Sequence, residues 1–241
     1  MPESGTKDFS NLYTPIAIIL AGAIIGGGLF LGLSKDGTST PSTGQQTPEV
    51  DIAKVDLNGE PYIGSASAKI VMAYWYDYQC PFCKAVDVGG VPQIPIEPAL
   101  PVLIKDYVNT GKLKIVFKDY AFLGDDSFTA SDYAHAVWKL YPDKFYEWHE
   151  AMFKAQDEEN GGFGDEASIL TLSRKISGID ANALKADVAA HADEYKAEAE
   201  ADQQEGSSFG ISGTPGFITG KTLIPGAAEL VKFKAAIDPQ L

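Results

Sequence analysis

The longest apolar run in the chain, Pro15 to Leu33 (PIAIILAGAIIGGGLFLGL), holds 19 residues without a charged or hydrogen-bonding side chain. At ~1.5 Å per residue a helix of that length spans roughly 28 Å, close to the hydrocarbon thickness of a bilayer. A soluble core helix would carry a polar stripe, and this run has none. A cleaved leader fits less well than an anchor. Lys7 is offset by Glu3 and Asp8, the run exceeds the usual leader core, and Leu31-Gly32-Leu33-Ser34 lacks a small-x-small cleavage pattern. The pattern therefore predicts a short tail at 1–14, one transmembrane anchor at 15–33, and a Ser/Thr/Gly/Gln-rich flexible linker at 34–52.

From Ala53 onward the spacing is that of a globular domain, 53–241. Lys69–Tyr78 (KIVMAYWYDY) is β-branched and aromatic, so it reads as a buried strand with Tyr74, Tyr76 and Tyr78 on one face and Trp75 on the other. Cys80–Val86 opens a helix, with Pro81 suited to its first turn. Gly89–Pro101, with two glycines and four prolines, interrupts that helix, and Val102–Val108 resumes helical spacing. Leu113–Tyr120 is a second strand; strand, helix and strand in that order predict a parallel pair. Ser127–Leu140, Lys144–Gln156, Glu166–Ile176 and Ala181–Gln203 all show helical spacing, a helical block over about 125–205. Thr214–Thr219 and Lys221–Ile224 read as a hairpin about Gly220, and Glu229–Ile237 as a closing helix. The sum is an α/β sheet with an inserted helical domain.

Composition narrows the function. Nineteen Lys and Arg against 33 Asp and Glu leave a formal charge of −14, which argues against nucleic acid as a partner because phosphate binding needs a basic surface. With 45% hydrophobic residues the chain is too apolar to be disordered as a whole. Two cysteines are too few for a disulfide-stapled scaffold.

Both cysteines lie in Cys80-Pro81-Phe82-Cys83, at the expected start of a helix. The free N–H groups and partial positive charge there favour a thiolate and lower its pKa. Cys80, the more exposed in such geometry, is the candidate nucleophile. It would form a mixed disulfide that Cys83 resolves. Two other readings of the spacing exist. Half a zinc site would need further ligands, but there is no second CxxC, and His135, His149 and His191 stand alone in helical patterns, so no metal is expected. A purely structural bridge would close so short a loop that it adds little stability. Downstream, Gly210-Ile211-Ser212-Gly213-Thr214-Pro215-Gly216-Phe217 places a proline just before a strand. A cis Thr214–Pro215 bond would offer the Thr214 backbone to an extended substrate, whereas an ordinary turn proline would not.

A strand ending DYQCPFC, a helical block and a late SGTPGF together resemble the DsbA-like thiol-disulfide oxidoreductases of the thioredoxin superfamily, over roughly Val55–Leu241. The resemblance implies a thioredoxin fold with an inserted helical domain. It makes Cys80 the nucleophile, Cys83 the resolving cysteine, Pro81 and Phe82 the intervening motif, and Thr214-Pro215 a cis-proline loop at the substrate site. His135, Ala136 and Trp138, then Phe145, Trp148, His149 and Phe153, are similar to the family's helical block and read as packing. Two positions depart from the family. Phe82 stands where many members carry His, and Tyr74 stands where thioredoxin-like proteins often carry a buried carboxylate. Asp77 is a candidate substitute in proton relay, set against a capping role. Phe82 and Tyr78 are expected as an apolar rim about the thiolate.

The expected activity is thiol-disulfide exchange on secreted or membrane polypeptides, most readily disulfide formation. No cofactor is expected beyond the Cys80–Cys83 disulfide itself. The expected setting is the cell membrane, single-pass, with the catalytic domain extracytoplasmic, where disulfides persist. A membrane redox partner of the DsbB or VKOR kind is implied by the resemblance. A reductase or isomerase of the same fold and a non-catalytic anchored binding module are the alternatives.

Overall fold

The computed structural model describes residues 50–241. The tail expected at 1–14, the anchor at 15–33 and the linker as far as 49 lie outside the described residues. Among the described residues, no helix is long and apolar enough to cross a membrane. The described residues begin at Val50. Asp51 caps a short 3-10 turn, Ile52–Lys54, and the Ile52 N–H donates to the Gly220 carbonyl at 2.7 Å.

In chain order the elements are β1 (Tyr62–Ile63), β2 (Ile70–Tyr76), α1 (Pro81–Asp87), α2 (Ala99–Leu103, running on as a π-helical turn over Ile104–Val108), β3 (Leu113–Asp119), α3 (Asp125–Leu140), α4 (Phe145–Ala155), α5 (Glu166–Ser173), α6 (Ala181–Ser208), β4 (Gly216–Thr219), β5 (Thr222–Pro225) and α7 (Leu230–Ile237). The strands form one sheet in the order β1-β3-β2-β4-β5. β2 runs parallel to β3, with Ile70 opposite Leu113 and Tyr76 opposite Asp119. It runs antiparallel to β4, with Met72 opposite Thr219 and Trp75 opposite Gly216. A central strand covered on both faces must be apolar almost throughout, which is why β2 reads IVMAYWY.

The pleat divides that strand between two cores. Met72, Tyr74 and Tyr76 pack into the larger one, with Val86, Leu100, Phe117, Phe153 and Phe217 among its members. Ala73 and Trp75 point the other way, into a cluster with Val55, Tyr120, Phe209, Ile211 and Ile218. The helical block lies between β3 and β4 in sequence, and its last helix returns the chain to the sheet. Helix α6 breaks from helical geometry at His191 and continues to Ser208. Near its end the Trp75 indole N–H donates to the Asp202 carbonyl at 2.9 Å. Gly206 permits this approach: a Cβ there would sit 2.8 Å from Trp75 Nε1.

Beside that contact lies a buried cation. Lys118, in β3, is 2% exposed and its ammonium reaches Asp202 at 2.5 Å, Glu60 at 2.7 Å and Glu205 at 3.3 Å. Burial first, then the neighbouring carboxylate, pushes Glu60 up to about 8, and burial pushes Asp202 up to about 6. One ammonium thus holds together carboxylates that would otherwise repel. The Lys118 side chain ties β3, the segment before β1 and α6 to one another.

Candidate functional site

After Tyr76 the chain turns through Asp77-Tyr78-Gln79 into α1, and the polar side chains of that turn are all hydrogen-bonded. Asp77 Oδ1 accepts the Gln79 N–H at 2.8 Å. Its Oδ2 accepts the Phe122 N–H at 2.9 Å, the Leu123 N–H at 3.3 Å and the Ser127 hydroxyl at 2.6 Å. The Gln79 amide donates to the Phe163 carbonyl and accepts from the Asn160 N–H. The Gln156 amide donates to the carbonyls of Tyr78 at 2.5 Å and Cys80 at 3.2 Å. The turn is therefore clamped from the sheet side and from the helical block. Of the two roles set against each other for Asp77, these contacts favour capping over relay: its carboxylate accepts the loop donors, and its backbone is hydrogen-bonded toward Cys83.

Cys80 is the residue before α1, in extended conformation, and Pro81 occupies the first helical position. The Cys83 and Lys84 N–H groups donate to the Cys80 carbonyl, which closes the first turn and brings the two sulfurs together. Both are free thiols. Cys80 is 4% exposed and Cys83 fully buried, the order expected for nucleophile and partner, although Cys80 is far less open than its position suggested. The Cys80 thiol donates to the Thr214 carbonyl at 3.4 Å, and the Thr214–Pro215 peptide is cis. The site thus joins residues 134 apart in sequence.

The two sulfurs differ in acidity for identifiable reasons. Cys80 is pulled down to about 7, first by a hydrogen bond from Cys83, then by Thr214 and by the backbone of Cys83 and Phe82; burial opposes this. Cys83 is pushed well up, first by burial and next by the neighbouring Cys80 sulfur. Thr214 changes role with the protonation of Cys80. As a thiol, Cys80 donates to the Thr214 carbonyl; the Thr214 hydroxyl, buried without a protein partner, is a donor that favours the thiolate.

A groove begins beside Thr214, lined by Phe82, Ile94, Ile211, Leu223 and Pro225 among others. Phe82 is 49% exposed and forms the part of the expected apolar rim nearest the sulfurs. Tyr78 is not part of that rim: it is buried, and its hydroxyl bonds His149 Nδ1 at 2.9 Å. The Gly89–Pro101 segment, whose role the sequence left open, contributes Ile94 to the lining of this groove.

Behind Cys83 lies a cluster that motif reading missed. The Tyr74 hydroxyl donates to Asp87 Oδ2 at 2.5 Å, and Asp87 Oδ1 lies 2.9 Å from His149 Nε2. Asp87 is one helical turn beyond Cys83 on the buried face of α1, a spacing that could have flagged it. His149, expected as packing alone, is also the polar centre of an aromatic shell that includes Tyr76, Phe117, Phe145 and Phe153. His135 is likewise bonded, to Asp119 at 2.9 Å and Glu198 at 3.1 Å. Among the described residues, no group of three or more His, Cys, Asp or Glu side chains could hold a metal ion.

Known proteins share the fold. The thioredoxin family model matches residues 56–239. Disulfide bond formation protein D of Bacillus subtilis is 24% identical over 185 residues, 77% of this chain and 78% of that protein. The crystal structure of oxidised BdbD from Bacillus subtilis superposes with a TM-score of 0.67 at 22% identity, covering 80% of this chain and 96% of that one. The thiol-disulfide exchange protein alpha-DsbA2 from Wolbachia pipientis gives 0.63 at 28% identity, covering 76% and 87%. A match over 56–239, nearly all of the described residues, makes this protein a member of the thioredoxin family, and the relatives it resembles are DsbA-like disulfide oxidoreductases.

Proposed function

We propose that the chain exchanges disulfides with cysteine-bearing polypeptides outside the cytoplasm, chiefly to form disulfide bonds in them. Cys80 is the nucleophile and Cys83 its buried partner. In the oxidised protein a substrate thiolate attacks Cys80 Sγ, a mixed disulfide forms, and the electron pair of the Cys80–Cys83 bond passes to Cys83 Sγ. A second substrate thiolate then attacks the substrate sulfur of the mixed disulfide. The substrate disulfide forms and Cys80 departs as a thiolate. The redox-active pair is the only cofactor this chemistry needs.

The observation that carries the reading is the asymmetry of the two sulfurs. One is acidic and borders a groove; the other is buried and holds its proton. A thiolate that is stable near neutral pH is a good leaving group, which favours donation of the disulfide to substrates. The apolar groove suits the exposed side chains of incompletely folded polypeptides. The 15–33 run supports anchoring in the cell membrane with the domain outside, and re-oxidation there calls for a membrane-embedded redox partner. The test is Cys80→Ser in an assay that oxidises a reduced polypeptide. Activity should vanish, and retained activity would refute the assignment.

A further inference from the structure

Cys83 is fully buried, yet each turnover must place a proton on it and remove one. Thr214 and the groove lie on the Cys80 side. Near Cys83 stand Tyr74 from β2 and Asp87 from the last turn of α1, with His149 from α4 bonded to Asp87, all essentially inaccessible to solvent. The Tyr74 hydroxyl donates to Asp87 Oδ2 at 2.5 Å and is close enough to Cys83 for that sulfur to join burial and Asp87 in pushing its pKa up. Asp87 Oδ1 meets His149 Nε2 at 2.9 Å, and His149 Nδ1 meets the Tyr78 hydroxyl at 2.9 Å. Tyr146, also on α4, is the further titratable group that faces Asp87. Among the described residues, the side-chain partners of Asp87 are the Tyr74 hydroxyl and the His149 imidazole, both able to pass protons, and no lysine or arginine is bonded to it.

Resting on the reading above, we propose that Tyr74 is a catalytic residue that carries the proton to and from Cys83, and that Asp87, held by His149, is the positioning residue that accepts and returns it. The step balances as follows. With Cys80 in a mixed disulfide, the Cys83 S–H proton moves to Tyr74 Oη while the Tyr74 hydroxyl proton moves to Asp87 Oδ2. Cys83 Sγ attacks Cys80 Sγ, the Cys80–Cys83 bond forms, the Cys80–partner bond breaks, and the partner sulfur leaves with the electron pair. When a substrate thiolate reopens the disulfide, the same protons return to Cys83. The structure displays the reduced state of this cycle: two thiols, with Tyr74 donating to Asp87. A merely structural role would leave the hydroxyl, the carboxylate and the imidazole in this order for no chemical reason, in a pocket where apolar side chains would pack with less desolvation cost.

Reaction of the reduced full chain with 5,5′-dithiobis(2-nitrobenzoate) separates the two sulfurs. The first thionitrobenzoate is released as Cys80 attacks the reagent. The second is released as Cys83 attacks the resulting mixed disulfide. Asp87→Asn keeps the shape and an acceptor oxygen but removes the carboxylate, and Tyr74→Phe removes the hydroxyl. Both should leave the first phase within twofold of wild type and slow the second at least tenfold at pH 7. The second phase should also become proportional to hydroxide, where wild type is flatter. Second phases of wild-type rate and pH profile would overturn the relay. So would equal slowing of both phases, which marks a structural effect. If Asp87→Asn does not fold, Tyr74→Phe decides by the same criteria. A wild-type protein with no first phase would instead refute the functional reading itself.

Discussion

The Cys80 thiol donates to the Thr214 carbonyl at 3.4 Å, although the two residues lie 134 positions apart. This contact puts the reactive sulfur at the meeting point of α1, whose Cys83 does most to make the thiol acidic, and the segment leading into β4, whose Thr214 adds to it. With Cys80 drawn down to about 7, alkylation of the reduced protein by iodoacetamide should rise with pH through a midpoint near that value. An ordinary thiol reacts mainly above pH 8. A midpoint at 8.5 or higher would contradict the acidity on which the functional reading rests.

The same shift makes the reduced protein's stability depend on pH, with a definite sign. A folded pKa of about 7 against an unfolded value near 9 means that the unfolded chain binds more protons between the two. The stabilisation from Cys80 is fully present above pH 9 and is lost as pH falls through 7, about 2–3 kcal/mol in all. Cys83 acts oppositely but only above pH 9, where the unfolded thiol ionises and the folded one does not. Urea denaturation of the reduced protein should therefore show stability rising from pH 6 to 9 relative to a Cys80→Ser control. Parallel curves for the two proteins would rule this out.

Thr214 separates the hydroxyl's effect from that of the backbone. Thr214→Val keeps the volume and the carbonyl but removes a buried hydroxyl donor that has no other partner. The thiolate loses a hydrogen bond of about 1–1.5 kcal/mol, so the alkylation midpoint should climb to roughly 8. The melting temperature of the reduced protein at pH 6, where Cys80 is a thiol, should stay close to wild type or rise slightly, since an unsatisfied polar group has been removed. An unchanged midpoint would assign the acidity to Cys83 and the helix start alone.

Much of this was legible in the sequence, and the remainder was hidden for physical reasons. β2, β3, the helical block and the β4–β5 hairpin follow from side-chain periodicity, because each buries one face or both. The CPFC motif announces a dithiol because its spacing is local. β1 escaped because two residues carry no period. Lys118 escaped because a lysine in KIVFKDY reads as a solvated position, and only the fold brings Asp202, Glu60 and Glu205 around it. Asp87 and His149 escaped because 62 residues separate them and each, taken alone, looks like an ordinary helical residue. Asp77 was noticed for its closeness to Cys80 in sequence, but nearness along the chain did not decide which way its carboxylate points.

Lys118 supplies a prediction about stability rather than chemistry. Lys118→Met keeps most of the apolar stem and deletes the charge, leaving Glu60 and Asp202 buried beside each other without a counter-ion. Removing one partner of a buried ionic cluster costs about 3–5 kcal/mol. The loss should be large at pH 8 and smaller at pH 5, because burial already pushes both carboxylates up and protonation relieves the repulsion. Chemical denaturation at the two pH values measures the difference. An equal loss at both would mean that the lysine stem, not its charge, holds the cluster.

The groove predicts selectivity. Phe82 offers a half-exposed ring next to the two cysteines, and Ile94 lines the same groove. A substrate that lays an apolar side chain between them buries surface on both, at ~25 cal/mol per Å². Loss of most of the Phe82 ring contact in Phe82→Ser would remove about 1–1.5 kcal/mol, or roughly tenfold in rate, from a cysteine peptide with neighbouring Leu or Phe. Glutathione has no apolar side chain to place there, so its rate should change by less than twofold. Comparing the two thiols on wild type, Phe82→Ser and Ile94→Ser distinguishes recognition from altered sulfur chemistry. Equal slowing of peptide and glutathione would mean that Phe82 acts on Cys80 itself, and no slowing of either would mean that the groove does not contact the substrate.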